Sequence, residues 1–148
     1  MKNFVERFKL LRNEKHISYQ GLADVIHVSV RALKYYGTGE REPTLSVLIS
    51  LANFFDVSLD YLADRSDDST PLSYHSEWEK TFRERLGELL PSFDRTDLQD
   101  AGINVGDLES IAFEDFPLTF HTACDIADEL GESLDYLTGR TDKREVNR

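Results

Sequence analysis

A ten-residue phrase occurs twice in this chain, SLDYLADRSD at 58–67 and SLDYLTGRTD at 133–142. A repeat of that length constrains the fold more than local propensity does, because a repeated phrase implies a repeated supersecondary unit. Carried back in the register that sets position 58 on position 133, Thr44 meets Thr119, and each is a good helix N-cap. Leu45, Leu48, Ile49, Ala52 and Phe55 meet Phe120, Ala123, Cys124, Ala127 and Leu130. Both sets follow the spacing of a helix with one buried stripe. Ser58 and Ser133 then cap a short closing helix, with Leu59/Leu62 and Leu134/Leu137 as its buried pairs. Gly139 ends the second such helix as a helix-stopping glycine would, and Asp64 stands at that place in the first.

Further upstream, FVERFKLLR (4–12) resembles FRERLGELL (82–90), but out of that register. The second segment is therefore slightly shorter somewhere between its first and fourth helices. Neither segment shows the period-2 alternation of strands. The expectation is an all-α chain of two tandem bundles, each of about five short helices, the second degenerate. The expected boundaries are a first domain at 1–66, a linker at 67–76 within the polar, proline-containing RSDDSTPLSYHS, a second domain at 77–142, and a frayed tail at 143–148.

The totals narrow the class. With 40% apolar and 30% charged residues, the chain reads as soluble and globular. No apolar run approaches the roughly 20 residues that span a bilayer, and no signal-peptide pattern opens it. One cysteine offers neither an internal disulfide nor zinc-ligand spacing, which suits a reducing cytoplasm. Net charge is −11, but residues 1–66 balance at +1 and residues 67–148 at −12. From Thr96 to Gly139 there is no Lys or Arg. Such asymmetry suggests two halves facing different partners.

Enzyme chemistry has little to stand on. His16, His27, His75 and His121 are scattered, without the spacing of a metal site. Cys124 takes the place of Ile49 and reads as a small buried hydrophobe, while Trp78 and Phe82 would pack the first helix of the second domain. No glycine-rich phosphate loop or ordered nucleophile–base set is present. No enzyme activity, metal or cofactor is expected.

The stretch Ile17–Pro43, ISYQGLADVIHVSVRALKYYGTGEREP, carries a specific pattern. Ser18 can cap a helix whose inward residues are Leu22, Ala23 and Ile26. A turn follows, His27-Val28-Ser29, with Val28 as its apolar plug. Ser29 can cap a second helix, Ser29 to Tyr36, with Leu33 and Tyr36 inward and Val30, Arg31, Lys34 and Tyr35 outward. This is the pattern of a helix-turn-helix, whose second helix enters the DNA major groove.

Across Phe4 to Asp67 the sequence resembles the Cro/CI-type (XRE-like) helix-turn-helix family of bacterial and phage regulators, through LAD…VS…L, GEREP and L…L…LA…F.VSLDYL. The resemblance implies a lambda-repressor-like five-helix bundle that binds double-stranded operator DNA, usually as a homodimer. It further implies a phosphate contact where helix 2 opens, here Ser18, Tyr19 and Gln20. Val30 and Arg31 would meet base edges, with Tyr35 a turn later, and Arg31 could pair bidentately with guanine. Ser29, Lys34, Thr38 and Arg41 would contact phosphates. Three residues depart from the family pattern. His27 replaces a turn glycine, Tyr19 replaces a glutamine, and Gly37 replaces a common Glu and is expected to loosen the end of helix 3.

The second segment offers DRTDLQDAGINVGDLESIAFEDFP at 94–117, with Gly106, Asp107 and Glu109, then Glu114 and Asp115, where a recognition helix would begin and end. Carboxylates repel phosphates, and no basic residue there is expected to compensate. Ile103, Val105, Leu108, Ile111, Phe113 and Phe116 would mostly be core, and an excess of exposed ones would mark a dimer interface. The expected protein is a transcriptional regulator, a repressor, with the acidic domain serving dimerisation, regulation or a protein partner. The competing reading is a protein-interaction module such as an antitoxin or antirepressor.

Overall fold

A computed structural model describes residues 2–70, 77–100, 102–114 and 120–146. His75, Asp115, Phe116 and Thr119, singled out above, lie outside the described residues, as do the side chains of Phe120 and His121. Among the described residues every regular element is helical, and none of the helices is long and apolar enough to cross a membrane. The chain divides into two compact units near residue 72.

The first unit contains α1 (Lys2–Lys15), α2 (Tyr19–Ile26), α3 (Val30–Thr38), α4 (Leu45–Phe55) and α5 (Leu59–Leu62). Four hydroxyls start four of these helices. Ser18, Ser29, Thr44 and Ser58 each accept a hydrogen bond from the N–H three residues on, at 3.0, 3.0, 3.2 and 3.1 Å. Each cap satisfies a donor that the helix itself leaves unpaired, worth about 1 kcal/mol. Helix α4 is central and buries Leu45, Leu48, Ile49, Leu51, Ala52 and Phe55. Phe8 of α1 stacks on Phe4 at 5.7 Å between ring centroids and meets Phe55 edge-on at 6.3 Å. Helix α1 thereby joins the core that α4 organises.

The second unit contains α6 (Trp78–Leu89), a 3-10 turn at Leu90–Ser92, α7 (Arg95–Asp100), α8 (Val105–Phe113), α9 (Phe120–Leu130) and α10 (Leu134–Leu137). Phe82, Leu86 and Leu89 of α6 are buried, as are Phe4, Phe8 and Leu11 of α1, with the same spacing between them. These sets stand out of register with the repeated phrase, whereas Ala23 and Leu98, both buried, already stand in it. The change of register therefore falls around the junction of the first and second helices of each unit. There the 3-10 turn carries Pro91, and α7 has six residues against eight in α2. Cys124 is half-buried, where Ile49 is buried, so it is less enclosed than a core hydrophobe.

A four-residue helix cannot persist alone, and each closing helix is held by side chains from elsewhere in its unit. Arg7 of α1 donates to the carbonyls of Tyr61 and, at 3.0 Å, Ser66. It also donates to the Asp67 carboxylate at 2.8 Å, and its guanidinium lies 4.2 Å from the Tyr61 ring centroid. Arg85 of α6 donates to the carbonyls of Tyr136 and, at 2.8 Å, Thr141, and to Asp142 at 3.2 Å, with its guanidinium 4.3 Å from the Tyr136 centroid. Behind each lies a buried ion pair, Asp60–Arg65 and Asp135–Arg140. The Ser58 N–H donates to Ser69 O at 3.3 Å and the Ser133 N–H to Arg144 O at 2.8 Å. Residues 67–70, expected to begin a linker, thus lie against α5. Arg144, expected in a frayed tail, is tied to α10 and pairs with Glu132 at 2.5 Å.

Candidate nucleic-acid interface

Helices α2 and α3 are joined by a turn whose sharpness comes from one residue. His27 is left-handed, at φ 58° and ψ 43°, and its N–H reaches back to Ala23 O. The imidazole is exposed and the strain falls on the backbone, as expected for a residue that replaces glycine there. Leu33 and Tyr36 bury the inner face of α3, which fixes its rotation. Arg31 and Lys34 are consequently exposed, while Val30 and Tyr35 are half-buried at the edge of the same face.

Tyr35 organises the cations around it. Its hydroxyl accepts from Arg31 Nε at 3.1 Å, and the Arg41 guanidinium lies 4.8 Å from its ring centroid. The Arg41 N–H also donates to Tyr35 O at 3.3 Å. Two guanidiniums meeting one aromatic ring lose less freedom on engaging a partner than free side chains would.

The remaining candidates divide by what their polar atoms already do. Ser18 and Ser29 accept as caps, so each hydroxyl proton stays available to donate outward. Gln20 is exposed and donates to Asp24 at 3.0 Å along its own helix. Thr38 donates to Tyr35 O at 3.2 Å, so a phosphate contact there would have to compete with an existing bond.

Tyr19 does not simply project. It is half-buried, with the Arg12 guanidinium 3.7 Å from its ring centroid. Its hydroxyl lies over Gly37, where a Cβ would collide with the oxygen. Two departures from the family pattern are therefore one feature, because the small residue on α3 admits the ring from α2. Gly37 sits inside α3, which continues to Thr38 and ends at Gly39, so the helix is not cut short there. Arg12 was missed in sequence. Its spacing gives only a charged residue near the end of α1, and nothing in the pattern signals the stack on Tyr19.

The corresponding region of the second unit differs. Asn104 caps α8, accepting from the Asp107 N–H at 3.2 Å, and Gly102 makes the left-handed turn at φ 82°. Gly106, Asp107 and Glu114 are exposed and Glu109 is half-buried. The expectation that no base compensates these carboxylates needs correction. Arg95 NH1 pairs with the Glu109 carboxylate at 2.9 Å, while Arg83 NH1 reaches only backbone there, donating to Ile111 O at 2.6 Å and Glu114 O at 2.9 Å. Both arginines precede the base-free stretch and are brought to α8 by folding. Among the described residues, no group of His, Cys, Asp and Glu is arranged to hold a metal ion.

Residues 8–62 match the family model described as Helix-turn-helix. The chain is 41% identical over 59 residues to the uncharacterized HTH-type transcriptional regulator YqaE of Bacillus subtilis (strain 168). That alignment covers 40% of this chain and about half of the relative, 51%. It is 29% identical over 91 residues to the uncharacterized HTH-type transcriptional regulator YobD of the same organism, covering 62% of this chain and 74% of that one. No solved structure matches the chain. The first unit thus carries a helix-turn-helix domain of the XRE type, on a chain homologous to HTH-type transcriptional regulators.

Proposed function

We propose that this protein is a sequence-specific DNA-binding transcriptional regulator that inserts α3 into the major groove. The observation that carries this reading is the outer face of α3. Arg31 and Lys34 are exposed on a helix whose rotation Leu33 and Tyr36 fix, and Tyr35 preorients Arg31. Arg31 would specify a base, most simply a guanine, whereas Lys34, Arg41 and the Ser18 and Ser29 hydroxyls would set position on the backbone. Occupying an operator excludes polymerase by volume alone, so repression is the outcome that needs no further contact.

The second unit is read as a degenerate copy of the first, serving assembly or regulation. Support comes from the capping serines Ser58 and Ser133 and from the Arg7 and Arg85 networks, which recur in kind from one unit to the other. Its α8 carries Asp107 and Glu109 where α3 has Ala32 and Lys34, which opposes a phosphate backbone.

The test is operator selection from a random duplex pool with the whole chain, followed by affinity against salt for the wild type, Arg31→Ala and Lys34→Ala. Arg31→Ala should cost roughly 1–3 kcal/mol and relax preference at one base position. Lys34→Ala should weaken all sequences alike and reduce the salt slope by about one. Failure to enrich any sequence at low salt would end this reading.

A further inference from the structure

Beside the face of the second unit that corresponds to the proposed DNA face lies an apolar groove. The groove, of about 310 Å³, is lined by Gly87, Leu90, Phe93, Leu98, Val105 and Phe113. Its rim carries one ion pair, Arg95–Glu109. In the register that pairs Ser58 with Ser133, Arg95, Val105, Glu109 and Phe113 fall on Gln20, Val30, Lys34 and Thr38, all assigned above to DNA. Phe113 is 70% exposed, more than any other large apolar side chain among the described residues. Its ring lies across Gly87, where a Cβ would stand 3.0 Å from Phe113 Cε1. An aromatic ring that lines an apolar trough, and is left largely in water, marks an interaction surface.

We propose that this groove is a homodimer interface, occupied by the same face of a second copy of this chain. Charge selects the occupant. The second unit, residues 73–146, holds seven Lys and Arg against eighteen Asp and Glu, so two copies repel through most of its faces. The groove instead presents one Arg and one Glu at its rim. A two-fold axis can bring the two Arg95–Glu109 pairs together so that each Arg95, paired within its own chain, also faces Glu109 of the other copy, which is the self-complementarity an isologous interface requires. A basic partner would favour the acidic faces over this neutral one. Phe113 of each copy then enters the other's trough.

The proposal deepens the assembly role given to the second unit, and its test needs no DNA, so its failure leaves the reading of α3 standing. Sedimentation equilibrium of the full chain should give a dimer. Phe113→Asp, Arg95→Glu and Glu109→Arg should each weaken it at least about tenfold, with unchanged helical circular dichroism. An equimolar mixture of the Arg95→Glu and Glu109→Arg chains should dimerise again, because each then faces the opposite charge. That recovery in trans cannot arise from a role confined to one chain. A monomeric wild type overturns the proposal. So does a dimer indifferent to Phe113→Asp, or a mixture that fails to recover.

Discussion

Val30 and Val105 open two nine-residue helices at matching places in the two units, each behind a side-chain cap and a left-handed turn. Beside Val30 stand Arg31 and Lys34, with Tyr35 gathering two guanidiniums. Beside Val105 stand Gly106 and Glu109, with Phe113 exposed at the far end. The difference lies on the surface and the agreement lies beneath it. Changing a buried leucine costs about 2–5 kcal/mol, whereas exposed positions shift stability by about 0.5 kcal/mol or less. A surface can therefore be cationic in one unit and not in the other with little effect on the stability of the helices beneath it.

The comparison is broken most severely at the closing helices. Asp60→Ala and Asp135→Ala each deprive a buried guanidinium of its carboxylate, and each should destabilise its own unit by about 3–5 kcal/mol. Trp78 is the only tryptophan and belongs to the second unit, so its fluorescence reports that unit's melting. Asp135→Ala should lower the fluorescence transition. Asp60→Ala should lower only the part of the circular-dichroism melt that fluorescence does not follow. Equal loss in the fluorescence signal from both would mean the units do not melt separately.

The turns give a smaller contrast of opposite sign. His27 and Gly102 occupy matching left-handed positions, and a side chain there costs roughly 1–2 kcal/mol. Gly102→Ala should destabilise the second unit by about that amount, since a Cβ there meets nothing within 4 Å and only the backbone angle is strained. His27→Gly should raise the stability of the first unit, by less than about 1 kcal/mol because glycine also loosens the unfolded chain. Denaturant midpoints check both, and a destabilised His27→Gly would mean that the imidazole has a role beyond the turn.

Smallest is the effect at Gly37. Alanine inside a helix gains about 0.5–1 kcal/mol over glycine, but here its Cβ would press on the Tyr19 hydroxyl. Gly37→Ala should gain nothing in the wild type and the full amount when Tyr19 is also alanine. A double-mutant cycle with no coupling would dissolve the pairing of these two residues.

Much of this was legible in the sequence because it is local. The caps at Ser18, Ser29, Thr44, Ser58 and Ser133 follow from residue type and position, and the buried stripe of α4 follows from periodicity. The left-handed turn at His27 followed from the glycine it replaces. What the sequence withheld depends on side chains meeting across helices. Arg12 over Tyr19, Tyr19 over Gly37 and Arg95 against Glu109 join residues whose separations along the chain carry no period. Thr38 is different, because its bond to Tyr35 O is local to α3 and is one that a threonine near a helix end commonly makes. Phe113 belongs by pattern with residues expected to be mostly core, and its exposure depends on where α8 ends against α6.

The network around Arg7 sets a timetable for synthesis. The family match ends at residue 62, yet the partners of Arg7 continue to Asp67, and Ser58 waits for Ser69. Emerging from the ribosome N-terminus first, the chain exposes the core residues of α1 to α5 before it has all the bonds that fasten α5 to α1, since Arg7 reaches Tyr61 at once but Ser66 and Asp67 only later. Arg7 is made well before Asp67, and its full set of bonds forms only after the chain has been extended that far. Nascent chains arrested just after Leu62 should thus remain open to proteases, while those with residue 70 clear of the exit tunnel should not.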